Sequence, residues 1–236
     1  MDRCQKGLDL LLEKYEIGGK VTITDEDVSI DGKKFPLLPW ENVRRFAELR
    51  NIVKSGRIGR LCTYRIGHTT HCGADLLDLL EREAGILEFT ADSPVKEVFA
   101  IGDETALNCI LETESGCVCT VELAATLRKE FPEVDKHEII AQNGVACDRV
   151  VDTQMPQNSI YVFGTENKAF TDTDFELFGY DEDEIARIRS AFALAKEIGR
   201  GNENRRKKLH LDSVVKAAKQ SLKLCEACKV DENGKG

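Results

Sequence analysis

No stretch of this chain approaches the run of about twenty apolar residues that a helix needs to cross a bilayer, so no membrane span is expected. Its first residues, Met1-Asp2-Arg3-Cys4-Gln5-Lys6, lack the apolar core of a secretion signal, and a cytoplasmic location is expected. Positive charge is in deficit. A formal net charge of −9 argues against general nucleic-acid binding, which calls for a basic footprint. The 9 cysteines are odd in number and lack a secretory context, which argues against a disulfide framework. Cys225-Glu-Ala-Cys228 has ligand-like spacing but no second such pair, so it supplies only half of the roughly four ligands of a structural zinc. Neither a metal nor another cofactor is expected.

What is present is ordinary for a protein with a real core: 42% hydrophobic and 32% charged residues over 236 positions, enough for one large domain with a small appendage. Leu8, Leu11, Leu12 and Tyr15 share a helical face, closed by Gly18-Gly19. Val21, Ile23, Val28 and Ile30 then alternate, with Asp31-Gly32 as a turn. A helix is predicted over 41–54, a strand over 60–66 and a helix over 74–83. Strands at 107–112 and 117–123 flank Glu114-Ser115-Gly116. Period-two alternation places Cys117, Cys119, Val121 and Leu123 on one face, explaining the Cys-x-Cys without a metal.

Asn143-Gly144 signals a second hairpin between 138–142 and 145–151, and 159–163 reads as another strand. Asp181 and Glu184 have capping-box spacing at the start of a helix. A polar stretch over 200–208 leads to a last helix over 209–225. Runs of hairpins with grouped helices predict an α+β fold: a mixed, largely antiparallel open sheet with helices on one face. The uncovered face then predicts a homo-oligomer formed through it.

Four segments in order carry a resemblance. Ile52-Val53-Lys54-Ser55-Gly56-Arg57-Ile58-Gly59-Arg60-Leu61 leads from a helix through a Gly-x-Ile-Gly turn into a strand. Gly73-Ala74-Asp75-Leu76-Leu77-Asp78 opens the next helix, Val95-Lys96-Glu97-Val98-Phe99-Ala100 forms a strand, and Gly116 turns the hairpin after it. Over about residues 41–225 the chain resembles the C-terminal domain of the glucose–fructose oxidoreductase and inositol dehydrogenase family (Gfo/Idh/MocA).

The chain departs from that family twice. The family's other half is a dinucleotide-binding Rossmann domain, yet no G-x-G-x-x-G follows a strand here, and the residues before Glu41 are too few for a βαβαβ unit. The family's Glu-Lys-Pro motif, with its catalytic lysine, is also absent. Its catalytic histidine aligns with Asp75, and its helix aspartate with Asp78. With a reference pKa near ~3.9, an aspartate is a poor proton shuttle at neutral pH unless burial raises it.

The resemblance places a substrate pocket beside His68-Thr69-Thr70-His71-Cys72, expected between the strand and the Asp75 helix. His68, His71, Asp75 and Asp78 are therefore candidate catalytic residues, able to act as acid and base or to face a ligand jointly. The plain alternative is hydrogen bonding of the histidines to backbone and helix N-terminal capping by Asp75. Arg149, Asp152, Gln154 and Gln157, in the polar stretch after the second hairpin, are candidates to hold the hydroxyls of a sugar or sugar acid. Phe170-Thr171-Asp172-Thr173-Asp174-Phe175-Glu176 lacks the glycine and distal glutamate of a calcium loop, and Arg205-Arg206-Lys207-Lys208 reads as a solvated helix start.

The expectation is an appendage over 1–40, in the place of the Rossmann domain, an oxidoreductase C-terminal-like domain over 41–228, and a frayed tail over 229–236. Such a chain would act as a ligand-binding or oligomerisation subunit, alone or beside a separate nucleotide-binding subunit. Its rival is a cofactor-independent or metal-dependent isomerase, epimerase or lyase using His68, His71 and Asp75.

Overall fold

Leu8, Leu11 and Leu12 recur at helical spacing and line the buried side of the first helix, α1 (Arg3–Lys14). The computed structural model describes residues 3–148, 159–164, 168–171, 174, 176–197 and 199–231. The chain divides into two units, one of 1–44 with 173–209 and one of 45–172 with 210–236. Residues 173–209 thus join the N-terminal segment in one unit.

In the first unit, β1 (Val21–Ile23), β2 (Asp27–Ile30) and β3 (Lys33–Pro36) form an antiparallel sheet in that order. Asp31 and Gly32 turn β2 into β3 with φ of 49° and 83°, the left-handed pair that a tight hairpin requires. A 3-10 turn follows at Pro39–Asn42. Helix α4 (Glu182–Lys196) opens on the predicted capping box: the Asp181 carboxylate accepts from Glu184 N, and Glu184 accepts from Asp181 N. Its Ile188, Ala191 and Leu194 pack in one core with Leu8, Val28 and Phe35.

In the second unit, α2 (Arg44–Lys54, with Arg44 assigned to the first unit) precedes β4 (Leu61–His71), α3 (Leu76–Ala91), β5 (Val95–Gly102), β6 (Ala106–Thr113) and β7 (Val118–Leu127). Next come β8 (Val134–Ala141), β9 (Gly144–Cys147), β10 (Ser159–Phe163) and β11 (Lys168–Thr171). Helix α5 (Arg200–Leu224) has residues in both units, and β12 (Cys228–Lys229) follows it. The nine-stranded sheet has the order β11-β10-β9-β8-β4-β7-β6-β5-β12. Among the described residues only β4 and β7 pair in parallel. This is the expected α+β architecture with a mixed, largely antiparallel open sheet.

Alternation along the strands separates two faces. Tyr64, Ile66, Cys119, Val121, Leu123, Leu107, Leu111 and Val98 are buried on the face against which α3 packs. Cys117 and Cys119 lie on that inner face, as the alternation predicted, and burial pushes the Cys117 thiol up to about 11. The opposite face leaves Ile101 62% and Ile110 47% exposed.

Several boundaries differ from the sequence reading, and helix α5 begins at Arg200, inside the polar stretch expected to lead up to it. Strand β4 continues through His71 because β7 and β8 pair with it up to Thr69 and beyond. Helix α3 runs past Glu83 to Ala91, where Asp92 ends it with φ of 53°. Lys229, expected in a frayed tail, pairs with Glu97, and Val230 is buried.

A candidate site at the end of strand β4

Inward alternation along β4 carries His68 and Thr70 to the covered face, while the helical repeat of α3 brings Glu83 beneath them on the stripe of Leu76, Leu80 and Leu87. Strand β8 places His137 on the same inner phase as Ile139. The result is a buried chain of alternating acids and bases. Glu83, wholly buried, meets His68 Nδ1 with Oε1 at 2.8 Å and His137 Nε2 with Oε2 at 2.8 Å. His137 Nδ1 lies 2.7 Å from Asp148 Oδ2, and Asp148 Oδ1 accepts from the His137 backbone N–H at 2.7 Å. Arg45 donates to Asp148 at 2.8 Å and, with both terminal nitrogens, to Asp135 at 3.0 and 2.7 Å. Arg82 bonds Glu83 and reaches Asp135 at 3.4 Å.

Arg45, Arg82 and a protonated His137 therefore face Glu83, Asp135 and Asp148. Burial of this kind is tolerated because every charge has an opposite partner and the fork geometry of each arginine is used. Both ring nitrogens of His137 face carboxylate oxygens, so the imidazolium is the form that satisfies them. Burial opposes that charge, but Asp148 and Glu83 outweigh it and raise the His137 pKa to about 9. Burial likewise works against the Glu83 carboxylate, and Arg82 and His137 hold it well below its usual range.

The network reaches solvent at Glu133. Its carboxylate accepts from Thr70 Oγ1 at 2.6 Å, lies 3.0 Å from His71 Nδ1 and 3.6 Å from His68 Nε2. The other ring nitrogen of His71 donates to Phe131 O at 2.9 Å. His68 and His71 are thus brought together through Glu133, both on a strand rather than in the loop expected for them.

Asp75 and Asp78 stand apart from this chain of bonds. Asp75 is the N-cap of α3, and its carboxylate accepts from Leu77 N at 2.8 Å. Asp78 lies in the first turn, where a carboxylate favours the helix dipole. Arg149, Asp152, Gln154 and Gln157 lie outside the described residues. Among the described residues no group of three or more His, Cys, Asp or Glu side chains is arranged to hold a metal. No described helix is long and apolar enough to cross a membrane.

Sequence reasoning missed Glu83, His137, Asp135, Arg45, Arg82 and Glu133. The available signal was a charged residue on an apolar phase: Glu83 interrupting the leucine stripe of α3, and His137 sharing the inward phase of Ile139.

No family model matches the sequence, and no curated protein sequence matches it. Solved structures do match. Levoglucosan dehydrogenase, in complex with NADH and levoglucosan, superposes with a TM-score of 0.67 at 12% identity over 83% of this chain and 66% of that one. An oxidoreductase domain protein from Kribbella flavida gives 0.64 at 12% identity, over 82% of this chain and 66% of its own. A probable dehydrogenase from Thermotoga maritima gives 0.60 at 17% identity, over 83% and 64%. The chain spans less than two thirds of the length of each of these proteins.

A dinucleotide, which levoglucosan dehydrogenase binds, does not fit the turn from β4 into α3. The turn from β4 into α3 is where a parallel-sheet protein would seat a pyrophosphate, and Asp75 fills that helix N-terminus with a carboxylate of its own. The chain has the fold of the Gfo/Idh/MocA-type oxidoreductases, over a length consistent with their C-terminal domain.

Proposed function

We propose that this chain is a cytoplasmic binding and assembly subunit: a relative in fold of sugar oxidoreductases that holds a sugar or sugar acid and self-associates, without transferring hydride by itself. The observation that carries this reading is the role of Asp75. It stands where the resembling family places its catalytic histidine, and its carboxylate is taken up by the backbone N–H of Leu77. The neighbouring histidines are taken up too, His68 by Glu83 and His71 by Glu133 and Phe131 O. Acid–base chemistry on a substrate needs a group within hydrogen-bond reach of it. Here those groups already have internal partners, which favours binding over catalysis. Arg149, Asp152, Gln154 and Gln157 are the proposed ligand contacts, and a separate nucleotide-binding chain is the proposed partner for any redox step.

The rival isomerase, epimerase or lyase would use His68, His71 and Asp75, and the same internal bonds count against it. The test is a thermal-shift screen of the purified chain against sugars and sugar acids, since a ligand of the folded state raises the melting temperature by mass action. A sugar-dependent rise that Arg149→Ala abolishes is the expected result. Turnover of a sugar by the isolated chain, lost in His71→Ala, would overturn the reading in favour of the enzyme.

A further inference from the structure

All 9 cysteines are free thiols, and they fall into two kinds. Most are buried. Burial pushes Cys109 up to about 12 and holds Cys119 well above the ordinary thiol range, so these two behave as small apolar residues of the sheet. Cys62, Cys72 and Cys225 are exposed. Of these, only Cys225 has another cysteine within three residues of it, and that partner, Cys228, is 6% exposed.

The loop between them is anchored at both ends. Helix α5 stops at Leu224, and Cys225 follows in the left-handed region, with φ of 56°, turning the chain back toward the sheet. Its N–H donates to Ser221 O at 2.8 Å. The Ser221 hydroxyl donates to Glu226 O at 2.6 Å and accepts from Ala100 N on β5 at 2.9 Å. One wholly buried serine thus joins helix, loop and sheet. Cys228 opens β12 opposite Val98 of β5, and its thiol turns back to Glu226 O at 3.8 Å.

We propose that Cys225 and Cys228 form a reversible dithiol–disulfide site that is oxidised by a low-molecular-weight disulfide. The exposed Cys225 thiolate attacks one sulfur of that reagent, forming a mixed disulfide and releasing the other half, which takes up a proton. The Cys228 thiolate then attacks Cys225 Sγ, breaking the mixed disulfide and releasing the second half as a thiol. Two protein thiols become one disulfide while the reagent disulfide becomes two thiols, so electrons and protons balance. Bridged cysteines lie about 4.4–6.8 Å apart at Cα, and a chain that reverses at Cys225 brings residue 228 back toward that span. Burial shields Cys228 from the reagent but not from its neighbour in the loop, which fixes the order of the two steps. Closure ties the end of α5 to β12, a two-residue strand at the edge of the sheet.

Incubation of the full chain with glutathione disulfide tests this, followed by acid quench, alkylation of the remaining thiols in denaturant and tryptic mass mapping. Cleavage after Lys223 and Lys229 leaves both cysteines in one peptide, Leu224–Lys229. That peptide should lose two hydrogens and take no alkylating label, and dithiothreitol should restore both thiols. Cys228→Ser should instead retain one glutathione on Cys225. In Cys225→Ser the Cys228 thiol should stay free, circular dichroism confirming that both variants are folded. A wild-type peptide that stays doubly alkylated, that retains a glutathione, or that is cross-linked to Cys62 or Cys72 overturns the proposal.

Discussion

His137 and Asp148 are joined twice: the backbone N–H of His137 donates to Oδ1 and the ring Nδ1–H to Oδ2, both at 2.7 Å. This pair of hydrogen bonds fixes the ring, and the other ring nitrogen then has one place to go, Glu83 Oε2 at 2.8 Å. One histidine thereby ties α3, β8 and the end of β9 into a single buried electrostatic unit.

This unit should make stability fall on the alkaline side. The folded pKa of His137 is raised to about 9, above the ordinary 6.5 that applies in the unfolded chain. Its contribution is full below the ordinary value and is lost as pH rises through the folded value, with an upper size of about 3 kcal/mol. Urea denaturation at stepped pH should show this loss, and His137→Gln should flatten it. The carboxylates Glu83 and Asp135 are held low, so their contribution is present above the ordinary carboxylate range and goes as pH falls through their lowered values.

Replacing Glu83 by alanine should cost about 3–5 kcal/mol, because it takes the carboxylate from between His68 Nδ1, His137 Nε2 and Arg82 in a buried site. The midpoint of chemical denaturation measures it. A loss of less than about 1 kcal/mol would mean the cluster is hydrated and its charges screened.

Asp75→Ala should cost about 1 kcal/mol, the ordinary loss of an N-cap, and leave any sugar-dependent thermal shift unchanged. Loss of ligand response with unchanged stability would instead place Asp75 against the ligand.

Gly144→Ala should destabilise by about 1–3 kcal/mol, since an added Cβ would come 2.7 Å from Phe163 O on the neighbouring strand β10. Thermal melting of the variant reads this directly.

The fold was largely legible because its signals are local. Alternation at Val118–Leu123, the Asp31-Gly32 turn and the Asp181–Glu184 capping box each depend on residues a few positions apart. The sequence pattern ends β4 early because His68, Thr69, Thr70 and His71 look like a polar loop until β7 and β8 supply their backbone partners. The buried network was not legible for the same reason. Glu83 is tolerable on an apolar helix face only once His137, 54 residues away, is opposite it, and no local pattern reports that pairing.

Calorimetric titration of the purified chain with NADH and NADPH tests the central claim most directly. The account predicts no binding at micromolar concentrations, because the one helix N-terminus that follows the parallel strand β4 is already capped by Asp75. Saturable micromolar binding of either dinucleotide would contradict it and make the chain a cofactor-binding oxidoreductase in its own right.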